Sequence, residues 1–162
     1  MSNDIYIAES LDGSGEEMKV RLTKALVREA FSNRHTLHPR RFGEIAESIL
    51  SAYAEHLRTG QVRGTVELGR ALSAEGVGLK SVQSLFAELR DYCWRTLDSR
   101  AADPLRRALE STEGFIFALI EGVMAGREGY ILREQERLHR AAARAQEVGA
   151  RESFDPGPSR AG

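Results

Sequence analysis

The chain is poor in the residues that carry covalent or metal chemistry. One cysteine, Cys93, stands among 162 residues. That excludes an internal disulfide and a cysteine-based zinc site. The histidines are His35, His38, His56 and His139. No two are four residues apart and no HExxH occurs, so a metal site would need distant partners that nothing in the sequence singles out. Of four prolines, only Pro39 and Pro104 precede the last ten residues. No stretch alternates apolar and polar residues between turn signals, which speaks against strands. Long apolar runs are absent too. The most apolar segment, Phe115–Ile120, stops at Glu121, far short of the roughly 20 residues that span a bilayer. Met1–Glu17 carries five acids and no Lys or Arg, whereas a secretory signal opens on basic residues. A cytoplasmic protein with no membrane segment is expected. With 23 basic and 24 acidic residues the net charge is -1, so bulk charge offers no attraction for nucleic acid. No catalytic signature is found, and the expectation is a non-enzyme without cofactor or metal.

What is present is helical periodicity. The length matches one domain, and 41% hydrophobic with 29% charged residues suits a folded chain. A first helix is expected over 16–33, where Met18, Leu22, Leu26 and Ala30 recur every four residues. Lys19, Arg21, Lys24 and Arg28 lie on its other side and read as a solvated face. Residues 1–15, acidic and holding Gly13 and Gly15, are expected to be disordered. The second helix is the most distinct. Pro39 suits a first helical position, and Leu37 and Phe42 have the spacing of a hydrophobic staple if His38 is the N-cap. Phe42, Ile45, Ala46, Ile49, Leu50, Tyr53 and Leu57 make one stripe, and Gly60 ends it. A third helix is expected over 61–74, with Val62, Val66, Gly69 and Leu72 inward. A fourth is expected over 79–98, with Val82, Leu85, Phe86, Leu89, Cys93 and Leu97 inward.

The fifth helix differs. Asp103 can cap it and Pro104 can open it, and no proline follows until after Val148. That is roughly 66 Å of helix, against a diameter near 40 Å for a globule of this size. The helix must therefore project or break at Gly114, Gly122, Gly126 or Gly129. Its first half is apolar and its second half charged. The domain reading is a bundle over 16–130, a projecting signalling helix over 131–148 and a disordered tail over 149–162. Phe117, Met124, Ile131, Leu138 and Ala145 recur every seven residues, half of a coiled-coil pattern. Met124, Ile131, Leu138 and Ala145 are thus the candidate residues of a homodimer interface. Gly122 and Gly126 form a GxxxG that lets another helix approach closely.

Five residues are candidates for lining a ligand pocket: Tyr53, His56, Cys93, Trp94 and Phe117. The competing role for each is core packing. An inward histidine in an all-α domain raises haem ligation, but a shared edge position also explains His56. Cys93, on the apolar stripe, reads as a small buried hydrophobe rather than a redox sensor. Residues 68–86 (LGRALSAEGVGLKSVQSLF) partly match a helix-turn-helix. Leu72 stands where that motif usually needs alanine, and Glu88 and Asp91 offset Lys80 and Arg90.

Three stretches, LHPRRFGEIAESILSAYAEHLRTG (37–60), ALSAEGVGLKSVQSLFAELRDYCWRTL (71–97) and FIFALIEGVMAGREGYILREQERLHRA (115–141), carry a family likeness. From Leu37 to Gln146 the chain resembles the N-terminal regulatory domains of RsbR-type stressosome proteins, and more closely those of RsbRD type. The resemblance implies a five-helix, globin-like sensor bundle without haem that dimerises and transmits through its long C-terminal helix. It brings no catalytic residues. Such domains normally continue into a STAS, PAS, GAF or kinase module. Here the helical pattern ends near Val148, so a separate STAS, kinase or phosphatase-type protein is the expected partner. A partner-binding module resembling the N-terminal domain of the RsbU phosphatase is the alternative within signalling.

Overall fold

The computed structural model describes residues 3–33, 37–97 and 102–152. It is all-α: α1 (Asn3–Asn33), α2 (Pro39–Thr59), α3 (Arg63–Ala74), α4 (Leu79–Thr96) and α5 (Ala102–Glu152), with no strand among the described residues. No helix there is long and apolar enough to cross a membrane. The chain divides into two units, residues 1–127 and 128–162.

In the first unit α1 packs on both α2 and α4. Its start corrects the expectation of a disordered segment over 1–15. Helix begins at Asn3, and Ile7, Ala8 and Leu11 are buried alongside Met18, Leu22 and Leu26. The apolar stripe therefore continues toward the N-terminus, passing through Ser14 and Gly15 where a hydrophobe would be expected. Ser14 replaces the missing apolar contact with a polar one. Its hydroxyl lies 2.7 Å from that of Tyr92, which donates to Ser10 at 2.9 Å. Arg58 of α2 reaches Asp12 at 3.2 Å. The basic face of α1 is also partly used. Lys19 pairs with Glu47 at 3.0 Å, and Arg21 with Glu88 at 2.8 Å and Asp91 at 2.7 Å.

α2 has the ends its sequence indicates. His38 is the N-cap, its Nδ1 accepting from the Arg40 amide at 3.3 Å, and Pro39 is the first helical residue. Gly60 closes the helix in the left-handed region at φ 68° and donates to the His56 carbonyl at 2.7 Å. Phe42, Ile45, Ala46, Ile49, Tyr53 and Leu57 are buried. Leu37 and Leu50 pack partly buried against the core.

α3 departs from its expected pattern. It starts at Arg63, and Val62, outside the helix, is exposed. Thr65, Gly69 and Leu72 face inward. The turn to α4 uses Gly76 at φ 92°. In α4, Val82, Leu85, Leu89 and Cys93 are buried as expected, joined by Ser81 and Tyr92. Phe86 is only partly buried, with the Arg90 guanidinium 5.7 Å above its ring centroid.

Within the first unit, α5 buries Leu105, Ala108, Thr112, Phe115, Ile116, Leu119 and Val123, and Gly114, Gly122 and Gly126 lie inside the helix. The GxxxG pair marks a close helix crossing, as its spacing indicates. A Cβ on Gly122 would fall on the Val66 carbonyl oxygen and within 2.9 Å of Gly69 Cα. A Cβ on Gly69 would meet the Leu119 carbonyl, and one on Gly126 would sit 2.8 Å from Ser73 Cβ. Glycine on both helices is thus what lets the backbones of α3 and α5 touch. Glu121, which ends the apolar run, is exposed.

The second unit is described over 128–152, all helical, including 149–152, where a disordered tail was expected to begin. The rest of that expected tail, 153–162, lies outside the described residues. From Tyr130 to Arg151 every side chain is exposed except that of Glu134.

Candidate functional site

The residues proposed from sequence to line a ligand pocket separate into two groups. Tyr53, Cys93 and His56 come together in the first unit, where α2, α4 and α5 meet. Tyr53 and Cys93 are fully buried, and so is Thr112, which the sequence reading did not single out. Thr112 donates to the Ala108 carbonyl at 2.7 Å, so its single hydroxyl proton is committed. The Tyr53 hydroxyl, 2.8 Å away, therefore donates to Thr112 Oγ1. Cys93 Sγ lies 3.4 Å from the Tyr53 oxygen and 3.5 Å from Thr112 Oγ1. The Tyr53 ring meets Phe115 edge-on, centroids 5.2 Å apart. Three helices are thereby joined through one phenol.

Thr112 was legible in principle. It falls at four-residue spacing from Ala108, on the stripe that continues through Phe115 and Leu119, so a polar residue there had to find an internal partner.

His56 is 7% exposed and lies beside Phe115, centroids 5.8 Å apart. Its Nδ1 is 3.1 Å from the Gln61 carbonyl and its Nε2 is 3.1 Å from the Ser111 carbonyl. Both partners are acceptors. A neutral ring donates to one of them, an imidazolium to both. The side chain thus ties the end of α2, the turn into α3 and α5. Haem ligation at this position would require one ring nitrogen to leave its carbonyl. Among the described residues no three His, Cys, Asp or Glu side chains cluster as a metal site.

The second group points away from that cluster. Trp94 is 50% and Phe117 66% exposed. They do not join Tyr53, His56 and Cys93 in one pocket. The reason is register. Trp94 follows buried Cys93, and Phe117 stands between buried Ile116 and Ala118 on the outer side of the helix. Cys93 is buried, which is the packing role rather than the exposed setting a redox sensor needs.

The interface candidates fall in both units. Met124 is half-exposed in the first unit, and Ile131, Leu138 and Ala145 are exposed in the second. His139 is exposed, and His35 lies outside the described residues.

The helix-turn-helix positions are largely used inside the protein. Ser81 is buried. Ser84 donates to Glu29 of α1 at 2.8 Å, and Glu88 is held by Arg21. Part of the face that would read DNA is thus engaged with α1, while Lys80, Gln83 and Arg90 are exposed.

The surface grooves of the first unit lie elsewhere. One, of about 850 Å³, runs along α2 past Arg41, Glu44, Glu47, Ser48, Ser51 and Glu55. Its charges are mutually compensated at one end. Arg41 donates to both Glu75 carboxylate oxygens at 2.5 Å and to Glu44 at 2.8 Å. Those hydrogen bonds hold the Glu75 and Glu44 carboxyls below their ordinary value.

Compared with protein-family models, with curated proteins and with solved structures, the chain matches none.

Proposed function

We propose that this protein is a non-enzymatic regulatory domain of bacterial signalling, of the RsbR/RsbRD type. In this reading residues up to about 130 form a globin-like sensor bundle, and the long end of α5 is its signalling helix. Two copies associate through the row Met124, Ile131, Leu138 and Ala145. Binding of a ligand or partner to the bundle shifts the population between two packings of that helix. A separate protein of STAS, kinase or phosphatase type receives the shift.

One observation carries the reading: Ile131 and Leu138 are 45% and 61% exposed, and from Arg133 to Glu147 every residue other than Leu138 is polar or alanine. A helix gains most of its stability from a packed apolar face, so these side chains call for a partner surface. The seven-residue spacing fits a second copy of the same helix.

Sedimentation equilibrium up to high micromolar concentration tests this. A dimer is expected, and Leu138→Glu should return it to monomer. A wild-type chain that is monomeric throughout would sink the reading.

A further inference from the structure

The second unit carries another ordered feature, on the side of the helix away from Ile131 and Leu138. Arg133, Arg137, Arg140, Arg144 and Arg151 follow one another along the helix. At about 100° per residue they lie within roughly 60° of one another. All five are exposed. Arg137 is paired with Glu134 at 2.5 Å, and Arg140 with Glu136 at 3.3 Å. Arg133, Arg144 and Arg151 have no ion pair with another described side chain. The first four arginines, with Glu136 and Ala141, line an open recess of about 490 Å³ over roughly 17 Å of helix. Like charges three and four residues apart weaken a helix. The row therefore costs the isolated helix stability, and an opposing anionic surface would remove that cost.

We infer that this row docks an acidic amphipathic helix of a partner protein, its Asp or Glu side chains repeating at the same four-three-four spacing. Guanidinium groups take carboxylates in a two-point, planar contact. Glu136 and Glu147 edge the row. They repel a continuous phosphate track, whereas a partner helix can set a neutral or basic residue against them. The opposite edge is apolar. Tyr130 and Val148 are 62% and 56% exposed there, with Ala141 between them. That margin matches the apolar shoulder of an amphipathic helix, not a hydrated nucleic-acid backbone or a lipid headgroup. The inference rests on residues 128–152 being an output surface and adds the chemistry of what they contact. It uses the face opposite the self-association row, so the two can fail separately.

The full chain is titrated against labelled probes at low salt. One is a helical peptide of about 20 residues, with Glu at the four-three-four spacing beside a Leu edge. The second replaces each Glu by Gln, and the third is duplex DNA. Co-sedimentation with phosphatidylcholine/phosphatidylserine vesicles completes the set. The Glu peptide should bind at least about tenfold more tightly than the Gln peptide or the DNA. Arg133→Gln with Arg144→Gln leaves both intrahelical ion pairs in place and should cost about tenfold in peptide affinity, with helicity and self-association unchanged. Leu138→Glu should do the reverse, losing the dimer and keeping the peptide. Equal binding of the two peptides, tighter binding to DNA or vesicles, or an unchanged affinity in the arginine variant would each overturn the inference. Selective binding of the Glu peptide by a monomeric chain would sustain it while removing the self-association reading.

Discussion

The described residues of the two units, 1–127 and 128–162, are mostly helical in both, yet different forces hold them. In the first unit α1, α2, α4 and α5 bury apolar stripes, and several polar groups that enter the core pair there, as Tyr53 does with Thr112 and Tyr92 with Ser10. In the second unit the exposed side chains leave backbone hydrogen bonds and local pairs such as Arg137–Glu134 as the stabilising terms. Such pairs contribute only about 0.2–0.5 kcal/mol each. The same secondary structure therefore has a packing origin in one unit and a local origin in the other. Substitutions of one kind should have opposite consequences in the two.

The largest effect is expected at Ile7. Ile7→Ala should destabilise the chain by about 4 kcal/mol in urea unfolding, since a fully buried side chain leaves a cavity. Leu132→Ala, removing an exposed side chain, should stay within about 0.5 kcal/mol. Equal effects would erase the distinction between the units.

Glycine gives the next contrast. Gly122→Ala should cost about 3 kcal/mol, because its Cβ meets the α3 backbone, which cannot rotate aside. Gly149→Ala has nothing within 4 Å of the new methyl. It should add helicity by circular dichroism, worth at most about 1 kcal/mol locally, without moving the main thermal transition. A tolerated Gly122→Ala would mean that α3 and α5 do not cross there.

Tyr53→Phe keeps the ring against Phe115 and removes the hydroxyl shared with Thr112 and Cys93. A loss of about 1 kcal/mol is expected in urea unfolding. No loss would show that the cluster is packing alone.

The smallest effect concerns acid. Hydrogen bonds from Arg41 and Arg21 hold Glu75 below its ordinary 4.5 and Asp91 below its ordinary 3.8. Carboxyls depressed by folding contribute stability that is complete above those ordinary values and lost as pH falls through the lowered ones. Both pairs are partly exposed, so the contribution is modest. Acid unfolding followed by circular dichroism should be less steep in Arg41→Gln, and an identical profile would assign that slope to other carboxylates.

How far the sequence reveals these features depends on whether their cause is local. The capped ends of α2 were legible because His38, Pro39 and Gly60 act on their own neighbours. The GxxxG pair was legible as a close approach, but not its partner. Nothing near Gly122 in the chain points to Val66 and Gly69. The N-terminal turns of α1 were not legible. Gly13, Ser14 and Gly15 interrupt the apolar stripe, and the hydroxyl that meets those of Ser10 and Ser14 belongs to Tyr92, on another helix. Of the five pocket candidates, periodicity placed Tyr53 and Cys93 on inward faces. It could not show that Trp94 and Phe117 point outward, since their helices carry apolar residues on adjoining positions.

By itself, then, the sequence determined the helical class, four of the helices to within a few residues, and the charged second half and seven-residue row of the last segment. All of these follow from periodicity and capping, which act over one or two turns. Only the tertiary structure decided that Ile7, Ala8 and Leu11 belong to the core, that Tyr53, Cys93 and Thr112 share one hydrogen-bonded cluster, and that His56 lies between two carbonyls. Each of these depends on groups tens of residues apart whose polar atoms must be satisfied once water is excluded.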